Sequence, residues 1–339
     1  MKNNFNWLRL LFSTLVIFSH SFDLTGGEDF LFTITKTTSF GAIAVAFFFV
    51  LSGYLIFQSL ENSKSLFDYF WKRVLRLFPG LFVMLCFSML IMIFINYKVL
   101  FYKDFWFYLP NNLSLYRVQY NVPGIFANNP YPNAINGSLW SLAYEFSMYI
   151  VVSFLFFINL ETIRKFLLIF GFLTSICFTA LNPDFLKEFF NLINLEPILF
   201  WKLSSLFFGG ALMNLKKLKK IKWNPFLFSI LLASIAISFY YKVFEITSPF
   251  LFPLLVIPLG EAYFKVFQLP KKLGDISYGV YIYAFFIQQL FMTFLNLSPV
   301  LLFTLSTIVT YILSYFSWHL VEKQMKKFKS VFSPQLQTH

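Results

Sequence analysis

The sequence predicts an all-α, polytopic integral membrane protein with about ten transmembrane helices. Three observations predict it. Of 339 residues, 58% are hydrophobic and only 12% are charged, about half the charge of a soluble protein. Apolar stretches recur along the whole chain, each long enough to span a bilayer, which takes roughly 20 residues. No polar stretch is long enough for a second, soluble domain. The net charge of +12 belongs with this reading. Basic residues gather in cytoplasmic loops, and there is no polar domain to present a nucleic-acid surface.

The expected spans are about 7–24, 40–60, 74–96, 139–159, 166–181, 198–215, 226–243, 248–267, 276–295 and 299–321. The first opens like a signal peptide, with Lys2 ahead of a short apolar run. Arg9 interrupts that run and no small-residue cleavage site follows, so a retained helix is expected. Lysine and arginine set the orientation. With a cytoplasmic N-terminus, the inner connections hold Lys64, Lys72, Arg73, Arg76, Arg164, Lys165 and the Lys216–Lys222 cluster. They also hold Lys265, Lys271, Lys272 and the lysines of the tail, while the outer connections hold far fewer. An even number of spans then brings both termini to the cytoplasmic side. Residues 1–325 form the expected transmembrane domain, and 326–339 a short basic cytoplasmic tail.

The two cysteines, Cys86 and Cys177, lie far apart in apolar segments and make no metal or redox motif. No metal site is expected. The long outer connection, 97–138, is rich in Asn, Pro, Tyr and Trp. Such a loop suits a sugar, with rings for its apolar face and amides for its hydroxyls. It equally suits an aromatic belt at headgroup level. The sequons at Asn112 and Asn136 are chance matches to a short pattern.

Several residues could carry chemistry. Arg9 and His20 are eleven residues apart, within about 20° of the same helix face and roughly 16 Å apart along the axis. Asp23, three residues on, lies close to that face. Ionisable groups in a span are costly and face the protein interior or a water-filled cavity. Histidine is the usual base near neutral pH, and a nearby carboxylate orients it. The plainer readings are a snorkelling anchor for Arg9 and a helix–helix hydrogen bond for His20. Ser52 and Gly53, in Phe48-Phe-Val-Leu-Ser-Gly-Tyr54, permit close helix packing or the approach of a ligand to backbone. Arg73 and Arg76 share a face at the inner surface, where two guanidinium forks match phosphate oxygens or simply flank the span. Glu145, in Trp140-Ser-Leu-Ala-Tyr-Glu145, is an acid inside an apolar span and a candidate partner for a buried cation.

In their order and spacing, these motifs resemble the acyltransferase-3 family. A later Gly274-Asp-Ile-Ser277-Tyr278-Gly-Val-Tyr281 and the terminal Glu322-Lys323 extend the resemblance over the whole chain. It implies a bacterial inner-membrane enzyme. Such an enzyme moves an acyl group, often acetyl, from cytoplasmic acyl-CoA to a hydroxyl of a surface or lipid-linked glycan. It implies that His20 is base or acyl relay and that Arg73 and Arg76 hold the coenzyme. The residues themselves add Asp23 or Glu145 to orient His20, Arg9 beside the paired arginines, and Ser52 or backbone amides facing the oxyanion. Two positions depart from the pattern. Many relatives have histidine where this chain has Ala284, and proline where it has Gln324. The first departure leaves His20 as the one imidazole expected in the site, since His319 and His339 lie at or beyond the end of the last span. The residues alone also allow a transporter or flippase of a glycan or lipid-linked intermediate. Such a protein would bind no acyl-CoA, and the two-halved symmetry common in transporters is not visible here.

Overall fold

The computed structural model describes residues 3–216 and 218–330. Among them the regular structure is entirely helical. Thirteen α-helices of six residues or more organise it: α1 (Phe5–Asp23), α2 (Phe30–Thr35), α3 (Phe40–Glu61), α4 (Leu66–Ile95), α5 (Lys103–Leu113), α6 (Trp140–Ser153), α7 (Glu161–Leu181), α8 (Lys187–Leu192), α9 (Pro197–Leu212), α10 (Pro225–Tyr240), α11 (Phe244–Glu261), α12 (Ser277–Phe294) and α13 (Pro299–Ser317). Each expected span overlaps one of them, α4 starting eight residues earlier and α11 ending six residues earlier than expected. Six of the described helical stretches are long and apolar enough to cross a membrane, so the chain is a multi-pass membrane protein. They contain α3, α4, α6, α7, α11 and α13. α9 and α10 are shorter apolar helices. α1 and α12 dilute their apolar character with Arg9 and His20 in one, and Gln288 and Gln289 in the other.

Local signals start the helices. Pro197, Pro225 and Pro299 open α9, α10 and α13, where a missing N–H costs nothing. Ser65 caps α4 by accepting the Asp68 N–H at 3.0 Å. Asp68 in turn accepts from the Lys64 N–H and pairs with Lys72 at 2.6 Å, fastening the first turn.

The described residues fall into two compact units. The first comprises those of Met1–Leu8, Val45–Ser63 and Ala143–Gln268. It holds most of α3 and α6 with α7 to α11. Its helices meet at small residues. A Cβ on Gly53 would run into the Phe207 carbonyl of α9, and one on Gly210 into the Val50 carbonyl of α3. α3 and α9 therefore touch backbone to backbone, as small residues allow in a membrane.

The second unit comprises the described residues of Arg9–Ala44, Lys64–Leu142 and Leu269–His339. Its centre is α12, which is buried along most of its length. Leu10 and Ile17 of α1 pack with Ile276, Val280, Ala284 and Trp318. Leu24, Ala134, Phe285, Met292 and Leu302 form a second cluster nearby. The long connection between α4 and α6 contains α5, and its amides dock it on α12. Asn129 Nδ2 donates to Gln289 Oε1 at 2.7 Å, and Asn136 Nδ2 to the Ile282 carbonyl at 2.7 Å. Gln289 Nε2 returns two bonds of 2.8 Å, to the Tyr131 and Ala134 carbonyls. Asn112 and Asn136 are both buried, so neither sequon presents its amide to solvent. Trp106, Phe107, Tyr120 and Tyr131 stay exposed.

Candidate active site

The second unit holds two polar centres, and α1 runs through both. At the start of its share of α1, Arg9 Nη1 lies 3.5 Å from Asp275 Oδ2. Arg76 Nη1 of α4 lies 3.1 Å from the same oxygen, and Lys326 Nζ 3.8 Å from it. Ser277 Oγ donates to the other oxygen, Oδ1, at 2.8 Å. The Asp275 side chain is only 11% exposed. Burial works against its charge, but Arg76, Arg9 and Lys326 outweigh burial and hold the carboxyl well below the usual carboxylate range. Arg73 is placed one turn earlier on α4, its guanidinium 5.7 Å from the ring of Tyr69.

The segment before α12 builds this hub residue by residue. Gly274 adopts φ +75°, and a Cβ there would enter the indole of Trp318. The left-handed glycine turns the chain so that Asp275 and Ser277 meet the cations. Tyr278 then donates to the Leu77 carbonyl at 2.8 Å, in the turn before Pro79, and its ring lies 5.6 Å from the Arg76 guanidinium. A π-helical turn, Trp318–Glu322, follows α13. It buries Glu322, whose Oε1 accepts from Ser317 Oγ at 3.3 Å. Gly80 leaves room for both Tyr278 and Glu322.

At the other end of α1, His20 Nδ1 faces Asp23 Oδ2 at 3.6 Å. That is an ion-pair separation, longer than a good hydrogen bond. The His20 ring meets the edge of Phe285 at a centroid distance of 5.1 Å. It is 23% exposed and Asp23 43%, so the pair remains accessible. Ala284, the neighbour of Phe285, is completely buried among Leu10, Ile17 and Val280. The position where the resemblance leads one to expect histidine is thus apolar core in this chain. His319 is held elsewhere, with its Nε2 2.9 Å from the Lys272 carbonyl and its ring 4.3 Å from that of Tyr315. His339 lies outside the described residues. Away from both centres, Leu11, Thr14, Leu15 and Phe18 of α1 line an apolar cavity of about 340 Å³ with Phe30, Phe40 and Phe303.

Ser52 and Glu145 belong to the first unit, and they are partners there. Ser52 Oγ donates to Glu145 Oε1 at 2.7 Å, and Tyr149 OH donates to the same oxygen at 2.6 Å. The hydroxyl proton of Ser52 is thus committed to a carboxylate. In the second unit, Ser141 of the same Trp-Ser-Leu-Ala-Tyr-Glu segment bonds the Tyr281 hydroxyl at 2.6 Å.

Asp275, Lys326 and Glu322 escaped assignment from sequence. Asp275 had a signal: it is the one acid in the basic connection between α11 and α12. A lone carboxylate beside three lysines and an apolar span has reason to be paired.

The chain matches the model of the acyltransferase-3 family, an acyltransferase domain, over residues 2–319. An O-acetyl transferase of Shigella phage Sf6 is 31% identical over 358 residues, covering 99% of this chain and 98% of the phage protein. Nodulation protein 10 of Rhizobium leguminosarum bv. viciae is 31% identical over 166 residues, covering 45% of this chain and 44% of that protein. No solved structure matches the chain. With the family pattern spanning nearly its full length, the chain belongs to the acyltransferase-3 family and is an acyltransferase for groups other than amino-acyl groups.

Proposed function

We propose that this chain is an O-acyltransferase of the bacterial inner membrane, with about ten spans and both termini in the cytoplasm. It moves an acyl group, acetyl by default, from cytoplasmic acyl-CoA to a hydroxyl of a cell-surface or lipid-linked glycan. The observation that carries this reading is the division of labour along α1. Arg9 joins a cation cluster at one end, and His20 with Asp23 stands at the other. The axial rise between Arg9 and His20 is about 16 Å, the order of length of a pantetheine arm. The name of the phage relative, an O-acetyl transferase, supports the choice of group and atom.

In this proposal Arg73, Arg76 and Arg9 hold the coenzyme phosphates, and guanidinium forks suit that task. The thioester reaches along α1 toward His20. The imidazole takes the proton of the acceptor hydroxyl as its oxygen attacks the thioester carbon. The carbon–sulfur bond breaks, and the leaving thiolate takes up that proton from the imidazolium. Asp23 stabilises the charged ring between these two events. The exposed rings of the outer connection offer stacking surfaces to a sugar.

Mass spectrometry of surface polysaccharide from cells with and without the chain tests the reading. The expected difference is one acyl unit per repeat, absent when His20→Ala replaces the native protein at equal membrane abundance. Polysaccharide identical in all three strains overturns it.

A further inference from the structure

The basic run after α13 holds Lys323, Lys326, Lys327 and Lys329, and topology alone explains such a run. The structure separates the four. Lys323 and Lys327 are exposed, whereas Lys326 and Lys329 are half-buried. Lys326–Ser330 forms a 3-10 turn, in which residues three apart eclipse and point the same way. The turn packs on α4, where Trp71 Nε1 donates to the Phe328 carbonyl at 2.9 Å. Lys326 Nζ is held 3.8 Å from Asp275 Oδ2 and 3.8 Å from the centre of the Trp318 ring. Burial lowers the pKa of the Lys329 ammonium, and the charges of Arg73, Arg76 and Lys72 lower it further against the pull of Asp275.

Arg9, Lys72, Arg73, Arg76, Lys326 and Lys329 thus share one neighbourhood with the acids Asp68, Asp275 and Glu322. The cations outnumber the acids. Half-burying two long lysines where cations outnumber acids costs side-chain entropy and Coulomb repulsion, which Asp275 and Trp318 offset in part for Lys326. A topological flank would leave them in water, as Lys323 and Lys327 are left. An anion with several charges offsets both costs. Coenzyme A carries two separate anionic groups, a diphosphate and a 3′-phosphate on its ribose. The cations here also come as two sets, the α4 arginines and the C-terminal lysines.

We infer that Lys326 and Lys329 bind the 3′-phosphate of the donor coenzyme, beside a diphosphate held by Arg73 and Arg76. The inference rests on the reading of acyl-CoA as donor. It makes the C-terminal turn part of the donor site and the source of preference for coenzyme A over its 3′-dephospho form.

Calorimetric binding of acetyl-CoA and of 3′-dephospho-acetyl-CoA tests this, using the full chain in phosphatidylcholine nanodiscs. The native chain is expected to prefer acetyl-CoA by about tenfold, the size of one charge-assisted hydrogen bond. Lys326→Gln with Lys329→Gln should bring the ratio near one, lowering affinity for acetyl-CoA by about tenfold more than affinity for the dephospho form. Lys326→Arg with Lys329→Arg should keep the preference, as should Lys323→Gln with Lys327→Gln. A native ratio of one overturns the inference, and so does a double glutamine variant that keeps the preference. A variant that keeps the preference but responds less to added phosphatidylglycerol assigns the lysines to lipid headgroups, which also overturns it. Failure of the native chain to bind either nucleotide defeats the underlying donor reading instead.

Discussion

Arg9 and Arg76 meet at a single carboxylate oxygen: Asp275 Oδ2 lies 3.5 Å from one guanidinium and 3.1 Å from the other. Neither arginine is near Asp275 in sequence, and each comes from a different helix. One buried acid therefore holds α1 and α4 in register with the start of α12.

Removing that acid should unfasten the unit. Asp275→Asn leaves two guanidinium groups and Lys326 facing one another around a neutral amide. Breaking a buried pair in this way costs about 3 kcal/mol or more. The change should appear as a large fall in Tm at neutral pH, followed by tryptophan fluorescence in detergent. The pH dependence has a definite sign. The folded carboxyl titrates below its unfolded value of about 3.9, so its contribution is complete above that value. It drains away as pH falls through the depressed folded value. The native protein should thus lose Tm more steeply below about pH 4 than Asp275→Asn does. Parallel acid limbs would show that the pairing contributes nothing.

His20→Ala should abolish transfer and leave Tm near native, because the ring is partly exposed and its removal opens little core. Asp23→Asn should be milder. The pair is 3.6 Å apart and Asp23 is 43% exposed, which gives it little weight in stability. Its effect belongs in catalysis, as a roughly tenfold loss in kcat with KM for acyl-CoA unchanged. A rise in KM alone would move Asp23 from the chemistry to donor binding. Incubation with radiolabelled acyl-CoA and no acceptor should leave no label on the chain, because the base mechanism forms no acyl-enzyme.

Glu145 offers a test that separates charge from hydrogen bonding. Ser52 and Tyr149 both donate to its Oε1, and an amide oxygen can accept the same two bonds. Glu145→Gln should therefore keep its Tm. Glu145→Ala leaves two donors unpaired and should destabilise by about 2 kcal/mol. Thermal melts of the two variants decide between these outcomes. A fall in kcat beyond tenfold in Glu145→Gln at constant Tm would place the charge itself in the chemistry.

The contact between α3 and α9 admits no side chain. Gly53→Ala and Gly210→Ala would each press a methyl group into a facing carbonyl. Each should destabilise by about 2 kcal/mol, the usual range for overpacking. Since the two glycines occupy the same helix contact, the double variant should cost less than the sum of the singles. Strict additivity in thermal melts would mean the helices do not separate as bodies.

The helices and the polar face of α1 were legible because each is a local matter. Apolar length marks a span, and a periodicity of 3.6 puts Arg9 and His20 on one side. The Asp275 hub was not legible, because it joins residues 266 positions apart and no spacing rule reaches that far. The motif around it, Gly274-Asp-Ile-Ser-Tyr278, could be matched as a pattern before its parts had roles. The glycine makes the turn, the acid gathers the cations, the serine steadies the acid, and the tyrosine anchors α4. The connection between α4 and α6 was legible only in part. Its amides suit a sugar, but Asn129 and Asn136 spend theirs on α12. Composition cannot distinguish an amide that greets a ligand from one that fastens a loop.

α4 is 30 residues long, about 45 Å by its rise, against a hydrocarbon core of about 30 Å. Its uncharged stretch, 77–95, matches that core, so the turns bearing Lys72, Arg73 and Arg76 overhang it. A helix with a charged overhang is a gauge. In a thicker bilayer α4 would stand more upright, and in a thinner one it would lean. Either movement changes the height of its arginines above the lipid tails. Membrane thickness thereby becomes a setting for where the arginine-bearing turns of α4 stand relative to the bilayer interface.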